Sequence, residues 1–207
     1  MRVLVACEES QVVCKEFRKL GHEAYSCDIQ DCSGGHPEWH IKGDVLGILD
    51  NGWDLMIAHP CCRRLTNAGA RWLHKPPNGK TLDQIWGELA EAVEFYKAIR
   101  NAPIAKKAIE NPIMHRAARA FLGFPKRQVV QPWYFGERAF KATGFELHNL
   151  SELQPTHILT PPEKGTDEHK AWSFIHRMPP SPEREKMRSK TFHGIAEAMA
   201  QQWGGQT

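Results

Sequence analysis

The chain has 207 residues, which suits one main domain with a sizeable core and leaves too little for two full domains. Its 41% hydrophobic and 25% charged residues are ordinary for a globular protein, and a net charge of +3 is by itself too small to indicate a polyanionic partner. No stretch approaches the ~20 apolar residues that span a bilayer, and the short apolar run near the N-terminus does not suit a secretory signal.

The first 124 residues alternate short apolar strands with helical segments. Strands are predicted at five places, namely 2–7, 22–29, 40–50 (where a turn of helix follows), 54–60 and 105–112. Helices are predicted over 12–21, which Gly21 ends, and over 81–101, where Thr81 and Gln84 suit a capping box. This alternation predicts an α/β, Rossmann-like fold with a mostly parallel sheet and helices on both faces.

The composition changes towards the C-terminus. Residues 128–149 predict a two-strand hairpin around Gly136, whereas 150–182 are rich in Pro, His and polar residues, which predicts an irregular insertion. Because Gly194 interrupts the last helical pattern, the closing helix is expected to begin near Thr191. We therefore expect three parts, a core over 1–149, the insertion over 150–182, and a C-terminal helix within 183–207 that packs back on the core.

The six cysteines all lie in the first third of the chain. A disulfide-stapled secreted domain is usually shorter and spreads its pairs throughout. We therefore expect a reducing, intracellular location in the cytoplasm. The cysteines are Cys7, Cys14, Cys27, Cys32, Cys61 and Cys62.

Polar and reactive side chains follow the predicted strands, which is where open parallel sheets bind their ligands. Cys61 and Cys62 lie after the fourth strand and offer, on this reasoning, two equivalent thiols. The strand ends carry Cys7-Glu8-Glu9, Asp28, His59 to Cys62, and Glu110-Asn111-Pro112.

A different constellation, Cys27, Cys32, His36 and His40, has residue types that can enclose a tetrahedral zinc ion. However, Cys27 falls inside a predicted strand, and the spacing is not that of a common zinc finger. We therefore expect no metal.

The loop "HPCCRRLTNAG" resembles the nucleophile loop of DNA (cytosine-5) methyltransferases. That family's loop reads Pro-Pro-Cys-Gln, with an aromatic residue three places after the Cys, a Ser four places after it, and Ala-Gly at six and seven. With Cys62 on the family's Cys, Leu65 takes the bulky apolar place and Thr66 the Ser place. Ala68-Gly69 then match as well, whereas placing Cys61 there loses all these matches.

A second match lies at the end of the fifth strand, where "AIENP" resembles the family's Glu-Asn-Val element with Pro112 in place of Val. About 48 residues separate Cys62 from Glu110, which suits one strand–helix–strand unit. Similar "ACE", "SCD" and "AIENPIMH" stretches occur in small phage-encoded proteins described as DNA cytosine methyltransferases. A phage origin would place the protein in the host cytoplasm.

The resemblance implies a class I methyltransferase fold and transfer of a methyl group from S-adenosylmethionine to C5 of cytosine in DNA. Because cytosine C5 is a poor nucleophile, the family first attacks C6 with a thiolate, the role that falls to Cys62. Glu110 would protonate or hydrogen-bond the ring, and Asn111 would hold the loop geometry. Arg63 and Arg64 would supply a positive field that favours the thiolate.

The resemblance also implies a cofactor edge. The family's first strand leads into a Phe-x-Gly-x-Gly loop, but here the loop reads "VACEESQ" and contains no glycine. Asp28 matches the acid expected to bind ribose hydroxyls, and Asp44 matches the residue near the adenine amino group. The expected cofactor contacts are Ala6, Cys7, Glu8, Ser10, Asp28, Asp44, Pro60 and, from the last family motif, Thr191.

The stretch "QPWYFGERAFKATGF" occupies the place of the family's Gln-x-Arg-x-Arg element, which touches the target base and backbone. It offers Arg138 and Lys141 as substrate-binding cations. From the nucleophile loop, Arg63, Arg64 and Thr66 would join them.

The expected partner is DNA, either duplex or single-stranded, and a duplex base would have to flip out of its stack. Residues 150–182 are too short for the family's usual recognition domain and would be its vestige, so a homodimer or another partner would supply recognition. Two alternatives stay open. One is C5 modification of a free cytidine nucleotide; the other is a nucleic-acid or nucleotide-binding protein without turnover, which the missing glycines and Cys61 in place of Pro favour.

Overall fold

A seven-stranded sheet forms the centre of the protein in a computed structural model that describes residues 1–205, apart from the side chains at positions 182, 185 and 186. The strands lie in the order β3-β2-β1-β4-β5-β7-β6, with β7 antiparallel to both neighbours and the other pairs parallel. This order confirms the predicted Rossmann-like fold of the class I methyltransferase type. The strands are β1 (Arg2–Ala6), β2 (Glu23–Asp28), β3 (His40–Lys42), β4 (Leu55–Ala58), β5 (Lys106–Pro112), β6 (Gln128–Val130) and β7 (Thr143–His148).

Eight α-helices accompany the sheet within residues 1–205. None of these helices is long and apolar enough to cross a membrane. They are α1 (Val12–Lys19), α2 (Asn67–Ala70), α3 (Leu82–Arg100), α4 (Arg116–Phe121), α5 (Asp167–Trp172), α6 (Phe174–Arg177), α7 (Pro182–Ser189) and α8 (His193–Gly204).

Helices cover both faces of the sheet, as predicted. Because side chains alternate along a strand, Met56 of β4 packs into the core beneath α3, whereas Ile57 packs on the opposite side with α1 and α8. Full burial of one such side chain contributes ~1.5–3 kcal/mol. The order of the strands reverses between β1 and β4, which places a ligand crevice at their carboxyl ends.

The helix α3 begins where the sequence predicts. The Oγ1 of Thr81 accepts a hydrogen bond from the backbone N of Gln84 at 3.2 Å, and the Gln84 side chain accepts one from the backbone N of Thr81 at 2.9 Å. This capping box satisfies two backbone donors that the first turn of a helix leaves unpaired.

The closing helix begins at His193, close to the predicted start near Thr191, but Gly194 lies within its first turn instead of interrupting it. A Cβ atom at Gly194 would lie 2.1 Å from the carbonyl oxygen of Phe135. The backbone N of Gly194 also donates to Oε1 of Glu137 at 3.1 Å. The glycine therefore lets α8 approach the connection between β6 and β7.

The region after β7 has more regular structure than the predicted insertion over 150–182. The helix α5 begins after Thr166, whose Oγ1 accepts from the backbone N of His169 at 3.2 Å, and Asp167 and Glu168 lie in the positively polarised first turn. The predicted hairpin is present as the antiparallel pair β6–β7. Because Val130 pairs with Thr143, the connection between these two strands spans residues 131–142.

We expect Gly194→Ala to lower the free energy of unfolding by about 1–3 kcal/mol, because the added methyl group must displace α8 from the Phe135 carbonyl. Gly87→Ala, in the middle of α3, is the matched control, since an added Cβ meets nothing within 4 Å there. The control should raise the free energy of unfolding by about 0.5–1 kcal/mol. Urea denaturation followed by circular dichroism measures both, and equal effects would contradict the close approach.

Candidate active site

The nucleophile loop begins directly after β4. The backbone N of His59 donates to the Ala6 carbonyl oxygen at 2.9 Å, which extends the contact between β4 and β1 by one residue. Pro60 is buried, Cys61 is exposed and Cys62 is partly buried. Of the two adjacent cysteines, Cys62 is therefore the one that the protein encloses.

This loop is fastened to the segment that follows β5. The backbone N of Asn67 donates to the Ile113 carbonyl oxygen at 3.1 Å, and the backbone N of His115 donates to that of Leu65 at 3.0 Å. The Nε2 of the His115 ring lies 2.7 Å from the Arg64 carbonyl oxygen. These bonds hold the ends of β4 and β5 together.

The loop turns tightly at Gly69, where a Cβ atom would lie 2.5 Å from the Arg63 carbonyl oxygen. Thr66 is only 5% exposed and pairs with Met114 across the two segments. Thr66, a predicted substrate contact, therefore helps to hold the loop in place.

Glu110 lies near the end of β5 and is 9% exposed. Its Oε2 lies 3.3 Å from Nδ1 of His59, whereas Oε1 has no hydrogen-bond partner within residues 1–205. Burial by itself raises the pKa of Glu110, but the bond with His59 and the positive charges of Lys141 and Arg127 outweigh it and bring the pKa below its ordinary value. Glu110 is thus a buried carboxylate with one oxygen left for a ligand.

Lys141 brings a cation to the same place. Its Nζ donates to the Lys190 carbonyl oxygen at 2.9 Å. Burial lowers the pKa of Lys141, while the negative charges of Glu110 and Cys62 act in the opposite direction. Thr191, predicted at the cofactor edge, lies in this site instead. A small cavity here is lined by Glu110, Lys141, Thr143, Phe145, Thr191, Phe192 and Ile195.

The thiol of Cys62 is held in its protonated form at neutral pH. Burial raises the pKa of Cys62 to about 11, and the negative charge of Glu110 adds to the effect. Arg188 of α7 and Lys141 act in the opposite direction, yet they do not offset the burial.

The positive charges with the largest effect on Cys62 are not those of Arg63 and Arg64. The Nε of Arg64 donates to Oε2 of Glu88 at 2.6 Å, and Lys80 binds the other oxygen of the same carboxylate. The side chain of Arg63 is exposed. The field comes from Arg188 and Lys141, which are distant in sequence.

Asn111 does not hold the loop in the way that the resemblance implies. Its side chain is fully buried, and neither the amide nitrogen nor the amide oxygen has a hydrogen-bond partner in the part of the chain that is described. Instead, Nη2 of Arg127 donates to the carbonyl oxygens of Asn111 at 2.8 Å and Gly144 at 2.6 Å. Arg127 therefore binds the backbone at the end of β5 and the start of β7.

Three predicted cofactor contacts have other roles in the fold. The side chain of Ala6 is fully buried within the sheet. Glu8 accepts from the backbone N of Val13 at 2.7 Å and so caps α1. Ser10 is buried beneath Gly34, where a Cβ atom would lie 2.6 Å from the Ser10 carbonyl oxygen. The side chains of Ala6 and Glu8 therefore take part in the fold itself, and the cofactor contacts of all three residues stay predictions.

Cys7, Asp28 and Asp44 do lie together at the edge formed by β1 and β2. Burial raises the pKa of Cys7, and the negative charges of both aspartates raise it further. Cys7 has φ 60° and Gln11 has φ 56°, so two residues of the first loop adopt the left-handed conformation that glycine takes most readily. The glycine-free loop thus has glycine-like backbone geometry at both ends.

Two residues of the site escaped the sequence reasoning. His59 carried a signal, since it directly precedes Pro60 at the end of an apolar strand. Arg188 carried none, because nothing local indicates that α7 reaches Cys62. Of the two predicted cations in the β6–β7 connection, Lys141 reaches the site and Arg138 is exposed.

The residues of the alternative zinc site are engaged elsewhere. The Cys27 thiol lies 3.6 Å from the Gly43 carbonyl oxygen. The His40 ring contacts Oγ of Ser26 at 2.8 Å through Nδ1 and the carbonyl oxygen of Gln30 at 2.9 Å through Nε2. Within residues 1–205, no group of three or more His, Cys, Asp or Glu side chains is arranged to hold a metal ion.

No protein-family model matches the chain, and no curated protein matches it. Among solved structures, it is similar to a prophage-encoded E. coli protein described as a DNA modification methyltransferase, with a TM-score of 0.49 and 12% identity over 77% of this chain and 52% of that one. It is also similar to the S. pombe Dnmt2 methyltransferase, with a TM-score of 0.44 and 14% identity over 84% of this chain and 54% of that one. The chain spans about half the length of each.

The charges around Cys62 predict how its alkylation depends on pH. In a Cys61→Ser background, the rate of reaction of Cys62 with iodoacetamide should rise towards an apparent pKa of about 11. Glu110→Gln should lower that pKa because it removes a negative charge, and Lys141→Met should raise it because it removes a positive one. Mass spectrometry of the peptide measures the rate. Shifts in the reversed directions would contradict the arrangement.

Proposed function

We propose that the protein transfers a methyl group from S-adenosylmethionine to C5 of cytosine in DNA. The observation that carries this proposal is the meeting of Cys62, Glu110 and Lys141 at the joined ends of β4 and β5. A thiol, a carboxylate with an unpaired oxygen and a cation are the groups that attack on C6 of the ring requires.

At the cofactor edge, which Cys7, Asp28 and Asp44 form, the charge and the hydrogen-bond acceptors fit S-adenosylmethionine. Asp28 and Asp44 supply acceptors for ribose and adenine groups, and their negative charge suits a cationic sulfonium. Each retains acceptor capacity beside its bond to a backbone N, from Gln30 and Leu46 respectively, both at 3.0 Å. When bound there, S-adenosylmethionine supplies the methyl group.

The resting charges suggest a path for one proton. Cys62 holds a proton because its pKa is high, and Glu110 is ionised because its pKa is low. As Sγ of Cys62 attacks C6, its proton passes to the unpaired oxygen of Glu110, which delivers it to N3 of the ring. The carboxylate thus acts first as a base and then as an acid.

Substrate binding itself would promote the thiolate. The negative charge of Glu110 raises the pKa of Cys62, so a cytosine ring that pairs with Glu110 weakens that opposition. Lys141 and Arg188 then face the thiolate with positive charge. The high resting pKa therefore does not conflict with a nucleophilic Cys62.

His59 is proposed as a positioning residue. Its ring contacts Oε2 of Glu110, which leaves Oε1 for the base, and its charge also acts on the buried carboxylate of Glu8. Both His59 and Glu110 are nearly enclosed. Removing the ring would therefore disturb both the direction and the pKa of the carboxylate.

The proposed organisation keeps the three parts expected from the sequence. Residues 1–149 form the catalytic core, 150–182 take the place of the recognition domain of the family that the sequence resembles, and 183–207 contain the closing helix α8. Positions 206 and 207 lie outside the described residues. A homodimer is one way to supply the recognition that so short an insertion lacks.

A binding protein without turnover is the second candidate. The observation that favours it is the pKa of about 11 for Cys62, which leaves few thiolates at neutral pH before a base is bound. Covalent trapping separates the two candidates, because a binding protein forms no adduct.

An oligonucleotide containing 5-fluorocytosine should form a covalent adduct with the protein in the presence of S-adenosylmethionine, because fluorine at C5 blocks release of the enzyme. Cys62→Ser should abolish the adduct, Cys61→Ser should retain it, and Glu110→Gln should slow it by at least about a hundredfold. Denaturing electrophoresis measures the adduct.

Calorimetric titration of the same protein with S-adenosylmethionine measures cofactor binding. If Cys61→Ser abolishes the adduct and Cys62→Ser retains it, the nucleophile is assigned wrongly. If the wild type binds S-adenosylmethionine and the oligonucleotide but never forms the adduct, the binding function replaces the enzymatic one.

The pH profile of trapping tests His59. The bond from His59 lowers the pKa of Glu110, so His59→Ala should raise that pKa and move the acid limb of the profile to higher pH. His59→Gln, whose amide can still donate a hydrogen bond, should restore part of the shift. A slower rate at every pH, with an unmoved acid limb, would mean that His59 is merely structural.

A further inference from the structure

Two segments that flank the proposed site contain cations and no acids. Residues 55–82 contain five Lys or Arg and no Asp or Glu, and residues 111–136 contain four and none. They follow β4 and β5, and backbone hydrogen bonds join them directly. Since the whole chain has a net charge of only +3, its positive charge is concentrated beside the site.

The second segment also carries exposed aromatic rings. Phe121 is 55% exposed and Phe124 is 53% exposed, and across the α3–α4 contact Trp86 is 39% exposed. The rings of Trp86 and Phe121 meet edge to face with their centroids 6.5 Å apart. We call Trp86, Phe121 and Phe124, with the cations Arg116 and Arg119, the α4 surface.

The cations of the α4 surface are exposed as well. Arg116 and Arg119 are solvent-exposed, and Cζ of Arg119 lies 5.4 Å from the centroid of the Phe124 ring. By contrast, Arg64 and Lys80 share the carboxylate of Glu88, and Arg127 is bound to backbone carbonyls. Arg116 and Arg119 are thus exposed cations that lie on the same short helix as the ring of Phe121.

The α4 surface adjoins the nucleophile loop on the α3 side of the sheet. His115, which bonds to this loop, directly precedes α4 and caps it. The six residues of α4 extend about 9 Å at 1.5 Å per residue. A chain that leaves the site along α4 would thus reach Phe121 and Phe124 directly.

We propose that the α4 surface docks a single-stranded segment of polynucleotide next to the target cytosine. Exposed rings interleaved with arginines are the combination that binds single strands, because unpaired bases stack on the rings while the cations meet the phosphates. A closed duplex offers no base faces to these rings. This inference rests on the proposed function for the choice of target, but the docking itself requires no turnover.

Fluorescence anisotropy with a labelled cytosine-containing oligonucleotide, without S-adenosylmethionine, tests the docking. Phe121→Ala/Phe124→Ala should weaken binding of the single strand about tenfold or more. Arg119→Ala should lower the slope of log affinity against log salt by about 0.7. Phe174→Ala and Lys164→Ala, which remove an exposed ring and an exposed cation elsewhere, are the controls and should leave both quantities unchanged. Deoxyribo- and ribo-oligonucleotides of the same sequence determine which sugar is preferred.

Three outcomes would overturn the docking. They are equal binding by the double variant and the wild type, tighter binding of the duplex than of the single strand, and a dimer in sedimentation that the double variant dissociates. Loss of strand binding in the double variant, together with no covalent adduct in the wild type, would leave the docking in place and remove the enzymatic function. Equal adduct formation by the double variant and the wild type would remove the docking and leave the enzymatic function in place.

Discussion

The register between β4 and β5 determines the geometry of the whole site. Ala58 pairs with Ile109, so the next residues along, His59 and Glu110, stand side by side on the sheet face covered by α8. A slip of one residue would turn the Glu110 side chain towards α3 and separate it from Lys141 and Thr191. The apolar side chains of β4 and β5 oppose such a slip, because each packs into one of the two cores and would have to repack in the other.

The second constraint is the burial of charged groups, and it explains why the site contains both a carboxylate and an ammonium group. A buried carboxylate without partners would take up a proton, and a buried ammonium would lose one. Glu110 and Lys141 stabilise each other's charged forms, and the positive charge of Arg127 also favours the ionised Glu110. The neutral thiol of Cys62 adds no further charge to the buried pair of Glu110 and Lys141.

Local patterns predicted the fold well, and residue types at strand ends predicted the centre of the site. The five parallel strands, the capping box at Thr81 and the proximity of Cys62 to Glu110 all followed from alternation, spacing and resemblance. The errors concern contacts made across the chain. No local pattern shows that Glu88 pairs with Arg64 or that the charge of Arg188 acts on Cys62, because each depends on how distant elements pack. The start of α5 was hidden by its Pro-rich surroundings.

The first loop has a backbone conformation that glycine usually provides, although the loop contains no glycine. Cys7 and Gln11 take left-handed conformations at a cost of roughly 1 kcal/mol each, which the surrounding hydrogen bonds must over-determine. Gln11 secures itself by exchanging two bonds with the backbone of His36. A sequence pattern that requires glycine in such a loop detects the residue type and not the left-handed backbone conformation. A chain that forms the same turn from residues with side chains does not match such a pattern, even where its strands follow the same order.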